Sequence, residues 1–83
     1  MNRNMQKEHI KKPTDIQKGL YEHYKNGKRY EVLDVVLHSE TLEEMVVYRA
    51  LYDEKITWVR PRAMFFEEVE KEGKKVSRFV YVG

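Results

Sequence analysis

The sequence predicts an all-β domain, a small antiparallel barrel or sandwich. From Gly19 onward, short runs rich in Val, Tyr, Phe and Leu alternate with turn residues at intervals of about ten residues, a spacing typical of such folds. With 83 residues, of which 41% are hydrophobic, the chain fills one modest core. It has no cysteine, so neither a disulfide nor a thiolate metal site supports the fold.

The first two strands flank the strongest turn signal of the chain. Leu20–Lys25 is the first predicted strand, and Asn26-Gly27 forms the turn that follows it. The second strand, Arg29–His38, is apolar on both faces and long, which predicts a bent strand that serves two sheets, as in barrels.

The next segment is compatible with a strand or a helix. Thr41 and Glu44 match a helical capping box, so a helix over Leu42–Tyr52 is the alternative. We favour a strand over Met45–Tyr52, because Val46-Val47-Tyr48 prefers strands and Arg49 interrupts the helical apolar face.

The remaining strands follow from turn signals and cross-strand pairing. Asp53–Lys55 predicts a turn into a fourth strand, Ile56–Arg60, and Arg62–Met64 a tight turn or a single 3₁₀ turn. A two-residue turn at Glu72-Gly73 sets two apolar and two oppositely charged pairs across the last hairpin. These pairs are Val69 with Val76, Glu70 with Lys75, Glu67 with Arg78, and Phe66 with Phe79.

Charge separates a tail from the rest of the chain. Residues 1–18 carry five basic and two acidic residues, or +3, whereas the residues from Gly19 onward carry 11 basic and 12 acidic residues, or −1. We interpret 1–18 as a basic, mobile tail, and 19–83 as the folded domain. Because the folded part is nearly neutral, its charge does not indicate a nucleic-acid-binding protein.

The sequence also resembles a family of small bacterial domains of unknown function, DUF1653. The resemblance spans Gly19 to about Phe79 and depends on seven short motifs. They are Gly19-Leu20-Tyr21-Glu22-His23-Tyr24-Lys25, Tyr30-Glu31-Val32-Leu33, His38-Ser39-Glu40-Thr41, Val46-Val47-Tyr48, Leu51-Tyr52, Trp58-Val59-Arg60-Pro61 and Met64-Phe65. It implies an all-β, SH3-like barrel of five to six antiparallel strands with one short 3₁₀ turn and a flexible N-terminal tail. It implies no activity.

Two polar groups suggest chemistry, but each has a simpler interpretation. His38-Ser39-Glu40-Thr41 contains an imidazole, hydroxyls and a carboxylate, yet adjacency in sequence does not build a catalytic triad, and a hydrogen-bonded turn is the expected role. His23 and His38 would make a metal site only if the fold brought them together with a carboxylate. We expect no metal, no cofactor and no enzymatic activity.

The aromatic residues predict a binding surface instead. The chain has six Tyr, three Phe and one Trp, more rings than so small a core is expected to bury, so some of them should face solvent on one accessible patch. Arg60 shares a strand face with Trp58 and would stack on a ring or pair with Glu40, Glu43 or Glu44. The predicted ligand-binding residues are Tyr21, His23, Tyr24, His38, Ser39, Glu40, Tyr48, Tyr52, Trp58 and Arg60.

The predicted function is therefore a non-enzymatic binding module that presents an aromatic and polar patch to a protein or peptide partner. A first alternative is binding of RNA or single-stranded DNA, and a second is a small enzyme or accessory subunit that uses His38 and Glu40. The longest apolar runs, of which Met45–Tyr48 is one, have four residues and are far too short to span a membrane, so we expect no membrane association and a cytoplasmic protein. We expect a monomer or a weak homodimer.

Overall fold

The computed structural model describes residues 10–83, which form two antiparallel sheets and one helical turn. The elements in chain order are β1 (Gly19–His23), β2 (Arg29–Leu37), β3 (Glu44–Ala50), β4 (Thr57–Pro61), α1 (Arg62–Phe65), β5 (Glu68–Lys71), β6 (Lys74–Ser77) and β7 (Phe79–Tyr81). One sheet has the order β4-β3-β2-β1-β7, and β5 pairs with β6 in a separate hairpin. The predicted all-β class is confirmed. The predicted closure into a barrel is wrong, because β4 and β7 end the five-stranded sheet as its two edges.

Side-chain alternation explains why the third segment is a strand and not the alternative helix. Val46, Tyr48 and Ala50 are buried, and the residues between them are only partly covered. Arg49, the residue that interrupts a helical pattern, lies on the other face and pairs with Glu31 at 3.2 Å. The predicted bend of β2 is present as a shift of register between Val32 and Asp34.

The core is a stack of aromatic rings on one face of the large sheet. Phe65 has no exposed surface and lies parallel to Phe79, with ring centroids 4.2 Å apart. Tyr48 packs its edge against both rings, at 5.2 Å from Phe65 and 5.7 Å from Phe79. Phe65 is the last residue of α1 and packs into this stack. Its burial therefore anchors the segment between β4 and β5 to the core.

The last hairpin has the predicted register over most of its length. Val69 lies opposite Val76, and Glu70 opposite Lys75. The Glu72-Gly73 turn has φ angles of 53° and 80°, the left-handed conformations that a two-residue type I′ turn requires.

Beyond the hairpin ladder, one predicted pair is correct and one is wrong. Arg78 donates to Glu67 Oε1 from Nε at 3.0 Å and from Nη2 at 2.6 Å. Phe66 does not pair with Phe79, because its N–H closes α1 by donating to the Arg62 carbonyl, and Phe65 occupies the place beside Phe79.

Part of the predicted tail lies against the domain. Residues 1–9 are outside the described range, and residues 10–18 form neither helix nor strand. Ile16 packs on the core, the Tyr21 hydroxyl donates to the Gln17 carbonyl at 2.7 Å, and Arg62 donates to the Thr14 carbonyl at 2.8 Å. Of the described residues, no helix is long and apolar enough to cross a membrane.

Candidate ligand-binding surface

The surface follows from the registers of the large sheet. Trp58 lies opposite Tyr48, and Arg60 lies opposite Val46. Directly paired residues of antiparallel strands point to the same face. Trp58 and Arg60 therefore lie on the face that carries the aromatic core, at its β4 margin. Trp58 is 50% exposed, because β4 is an edge strand of the sheet that the described residues form.

Two tyrosines of the predicted patch belong to the core instead. Tyr21 is 4% exposed and Tyr48 is 6% exposed, so neither ring is available to a ligand. The expectation of too many rings was wrong for these positions because the hydroxyl of a buried tyrosine can still reach a polar partner. Tyr21 reaches the Gln17 carbonyl, and Tyr48 lies 3.5 Å from the Nε of Arg60.

His38, Ser39 and Glu40 form a turn that is remote from Trp58. The Nδ1 atom of His38 accepts hydrogen bonds from the backbone N–H groups of Glu40 and Thr41, at 3.1 and 3.3 Å. The Oγ1 atom of Thr41 accepts a hydrogen bond from the backbone N–H of Glu43 at 3.2 Å. An imidazole that accepts at Nδ1 carries its proton on Nε2. The motif is thus a hydrogen-bonded turn between β2 and β3.

The two histidines predicted as an alternative metal pair lie at opposite ends of β2. The N–H of His23 donates to the Lys28 carbonyl, just before β2 begins, whereas His38 follows its last residue, Leu37. At about 3.3 Å per residue, the nine-residue strand separates them by about 25 Å. Within residues 10–83, no group of three or more His, Asp or Glu side chains is placed to hold a metal ion.

Arg60 differs from the other described arginines in its partners. Arg29, Arg49, Arg62 and Arg78 each lie within 3.2 Å of a carboxylate oxygen. Among the described residues, Arg60 has no carboxylate partner, and its one side-chain hydrogen bond is from Nε to the Tyr48 hydroxyl at 3.5 Å. The predicted pairing of Arg60 with Glu44 does not form, because Arg62 takes that carboxylate at 2.5 Å.

Positive charge also surrounds His23. Burial lowers the pKa of His23 below its ordinary value, and the charges of Arg78, Arg60 and Lys25 lower it further. The imidazole packs 5.0 Å from Tyr24 and 5.0 Å from Phe79, between centroids. A neutral imidazole among cations is a place where an anionic group is attracted.

Tyr52 and Lys28 complete the surface beside Trp58. The ammonium of Lys28 lies 4.3 Å from the centre of the Tyr52 ring, and the Tyr52 hydroxyl lies 2.5 Å from that of Tyr30. Burial and this hydrogen bond raise the pKa of Tyr30 well above its ordinary value, so its hydroxyl stays protonated. Tyr52 and Trp58 both line a shallow groove of about 300 Å³, whose lining also includes Asp53, Glu54 and Lys55.

We call the surface made by Trp58, Arg60, Tyr52, Lys28, His23 and Tyr24 the Trp58 surface. Alternation along the strands is enough to predict Trp58 and Arg60 together. Lys28 was missed by sequence reasoning, because its position over Tyr52 depends on how the turn after β1 meets the loop after β3. A ring and a lysine in those two loops give no local signal in the sequence.

A larger groove, of about 790 Å³, lies at the other end of the core. Its walls include Asp15, Glu43 and Arg62. The guanidinium of Arg62 already donates hydrogen bonds to Glu44 and to the Thr14 carbonyl, so the positive charge that lines this groove is already paired with groups of the same chain. We therefore place the candidate site at the Trp58 surface, although its groove is smaller.

The fold and its surface define a small β domain with an exposed ring beside an arginine that has no carboxylate partner within residues 10–83. A family model described as a protein of unknown function, DUF1653, matches residues 19–81, and the chain belongs to this family. The crystal structure of a protein of the same family from Bordetella bronchiseptica is similar, with 34% identity and a TM-score of 0.74. The similarity covers 82% of this chain and 88% of that chain. No match is found among curated proteins.

Proposed function

We propose that the domain is a non-enzymatic binding module whose Trp58 surface holds an extended, acidic segment of another protein. The proposal depends on one observation about Arg60. This residue has no carboxylate partner among the described residues, and it lies two residues after the half-exposed Trp58 on the same strand face. A guanidinium matches a carboxylate with two parallel hydrogen bonds, and an indole offers a broad apolar face beside it.

The magnitudes support a specific but modest affinity. Covering the exposed half of an indole removes roughly 100 Å² from water, or about 2.5 kcal/mol before the cost of association. A hydrogen bond to a charged group contributes about 1.5 to 3 kcal/mol. The cations near His23 add attraction over a longer range and raise the rate of encounter with an acidic segment.

The proposal is tested by fluorescence anisotropy with a fluorescein-labelled Glu-Glu-Tyr-Tyr-Glu-Glu peptide, in which a carboxylate and a ring two positions apart lie on the same face of an extended chain. We expect saturable binding to the wild-type domain and a loss of about tenfold or more for Arg60→Gln. The matched control is Arg49→Gln, which removes an arginine of the opposite face that already pairs with Glu31. Equal binding by both variants would contradict the proposal, as would equal binding of a Gln-Gln-Tyr-Tyr-Gln-Gln peptide.

The same assay separates a nucleic-acid ligand from a protein ligand. The folded part of the chain carries −1, and this near-neutral charge supports a protein segment over a polyphosphate. Labelled oligouridine should therefore bind more weakly than the acidic peptide at low salt. Tighter binding of oligouridine, with a steep loss at higher salt, would replace the proposal with nucleic-acid binding.

We further propose that the domain works in the cytoplasm. The cysteine-free sequence is compatible with a reducing compartment, where disulfides do not contribute. Fractionation of cells that express the tagged protein checks this part of the proposal.

A further inference from the structure

The outer edge of β4 has no partner strand among the described residues. β4 ends the five-stranded sheet, and no other described backbone bonds its outer side. Two consecutive apolar residues on it, Trp58 and Val59, are 50% and 58% exposed. Natural proteins usually protect such an edge with charges, proline or a covering element, because unpaired backbone groups there attract another strand.

The register tells which backbone groups of β4 point outward. The N–H of Ala50 donates to the carbonyl of Ile56 at 3.0 Å, which makes these two residues a hydrogen-bonded pair. Hydrogen-bonded pairs alternate along an antiparallel ladder. Trp58 and Arg60 therefore direct their backbone groups toward β3, and Thr57 and Val59 direct theirs to the free side. Pro61 has no N–H and ends the edge.

The side chains and the backbone of this edge are thus arranged to bind an extended peptide. A strand added to β4 would bond Thr57 and Val59 through its backbone. On the core face, its side chains would lie directly beside Trp58 and Arg60, which form the closely spaced, non-hydrogen-bonded positions of such a pair. The guanidinium of Arg60, which has no carboxylate partner among the described residues, is complementary to a carboxylate at the position opposite to it.

Building on the proposed function, we propose that the acidic segment binds as an additional antiparallel strand on the free edge of β4. The segment carries a carboxylate opposite Arg60 and an aromatic or large apolar residue opposite Trp58, two positions further along its own chain. Backbone bonding to an exposed strand edge is an established way for a domain to hold an extended peptide, with alternate side chains giving specificity.

The test uses a labelled Ser-Glu-Val-Tyr-Thr-Ser peptide, in which Glu faces Arg60, Val faces Val59, and Tyr faces Trp58. N-methylation of the peptide's Val removes the N–H that would donate to the Val59 carbonyl and places a methyl group in the ladder. N-methylation of its Tyr alters an N–H that points away from β4, and it is the matched control. We expect at least about a tenfold loss for the first peptide and about twofold or less for the second.

A protein variant gives an independent readout. Val59→Pro removes an outward N–H without touching the ladder to β3, and proline is tolerated on edge strands. It should lower affinity about tenfold, while Val59→Thr keeps the N–H and binds normally. If both N-methylated peptides bind as the parent does, strand addition is wrong and the proposed function stands. If this parent peptide does not bind although Glu-Glu-Tyr-Tyr-Glu-Glu does, strand addition is wrong and the proposed function stands. If neither peptide binds, both are wrong. A dimer of the free domain that Val59→Pro dissociates would assign this edge to a second copy and overturn the proposal.

Discussion

Replacing Phe65 by alanine should remove most of the stability of the domain, whereas the same change at Phe66 should be mild. Phe65 is completely buried and stacks on Phe79 at 4.2 Å. Truncation of such a ring costs about 3 to 5 kcal/mol, including the cavity that it leaves. For about 65 folded residues, the total free energy of unfolding is roughly 3 to 10 kcal/mol, so Phe65→Ala should leave the domain close to unfolding.

Phe66 provides the control, because it is the neighbouring residue of the same type. Its side chain is 38% exposed and meets Phe65 only edge-on, with centroids 5.0 Å apart. We expect Phe66→Ala to cost about 1 kcal/mol, which corresponds to a fall of about 4 to 8 °C in Tm.

Thermal unfolding followed by far-ultraviolet circular dichroism measures both variants. Phe65→Ala should lower Tm by about 15 °C or more, or show no cooperative transition. If it is unfolded at all temperatures, the smaller change Phe65→Leu should still lower Tm more than Phe66→Leu does. A larger loss at Phe66 than at Phe65 would refute the packing described here and restore the hairpin register that the sequence predicts.

Further predictions concern ion pairs, the turn after β2, and His23. Arg78→Met should lower the free energy of unfolding in urea by about 1 kcal/mol, because Arg78 makes two hydrogen bonds to Glu67. Arg29→Met removes a more exposed ion pair and should change it by a few tenths of a kcal/mol. Equal effects of the two variants would contradict this prediction. His38→Ala should lower Tm by a few degrees. His38→Asn should recover most of this loss, because the amide oxygen of Asn can accept hydrogen bonds from the same backbone N–H groups. An Asn variant as unstable as the Ala variant would show that the turn does not depend on this acceptor. The pKa of His23 is lowered in the folded state by burial and by Arg78, so its contribution to stability is complete above about pH 6.5 and is lost as the pH falls below that value. His23→Gln should therefore lose less stability on acidification than the wild type, and an NMR titration midpoint of His23 at or above 6.5 would contradict the assignment.

Sequence patterns predict this fold well where one local rule determines the structure. The turn Glu72-Gly73 and the opposite charges of Glu70 and Lys75 set the register of the last hairpin, and the structure has that register. The predicted pair of Phe66 with Phe79, two positions beyond the end of this ladder, does not form. The four residues of α1 change the direction of successive side chains from the period of a strand to that of a helix, and so Phe65 enters the core in place of Phe66.

The candidate site is predictable only in part. Alternation places Trp58 and Arg60 on one face, but it does not tell that β4 ends the sheet and leaves Trp58 half exposed. Arg60 does not pair with Glu44 because Arg62 bonds that carboxylate, and this arrangement follows from tertiary packing. Likewise, Tyr48 was expected on the surface and is buried, because its hydroxyl meets Arg60 at the margin of the core.

The central claim is that Trp58 and Arg60 form the surface that binds an acidic segment. Titration of the unlabelled Glu-Glu-Tyr-Tyr-Glu-Glu peptide into the ¹⁵N-labelled domain tests it most directly, because the indole N–H of Trp58 gives a single resonance in a chain with one Trp. We predict that this resonance and the amides around Arg60 and His23 move together and saturate. Shifts confined to the groove around Arg62, or no shift at Trp58, would contradict the claim.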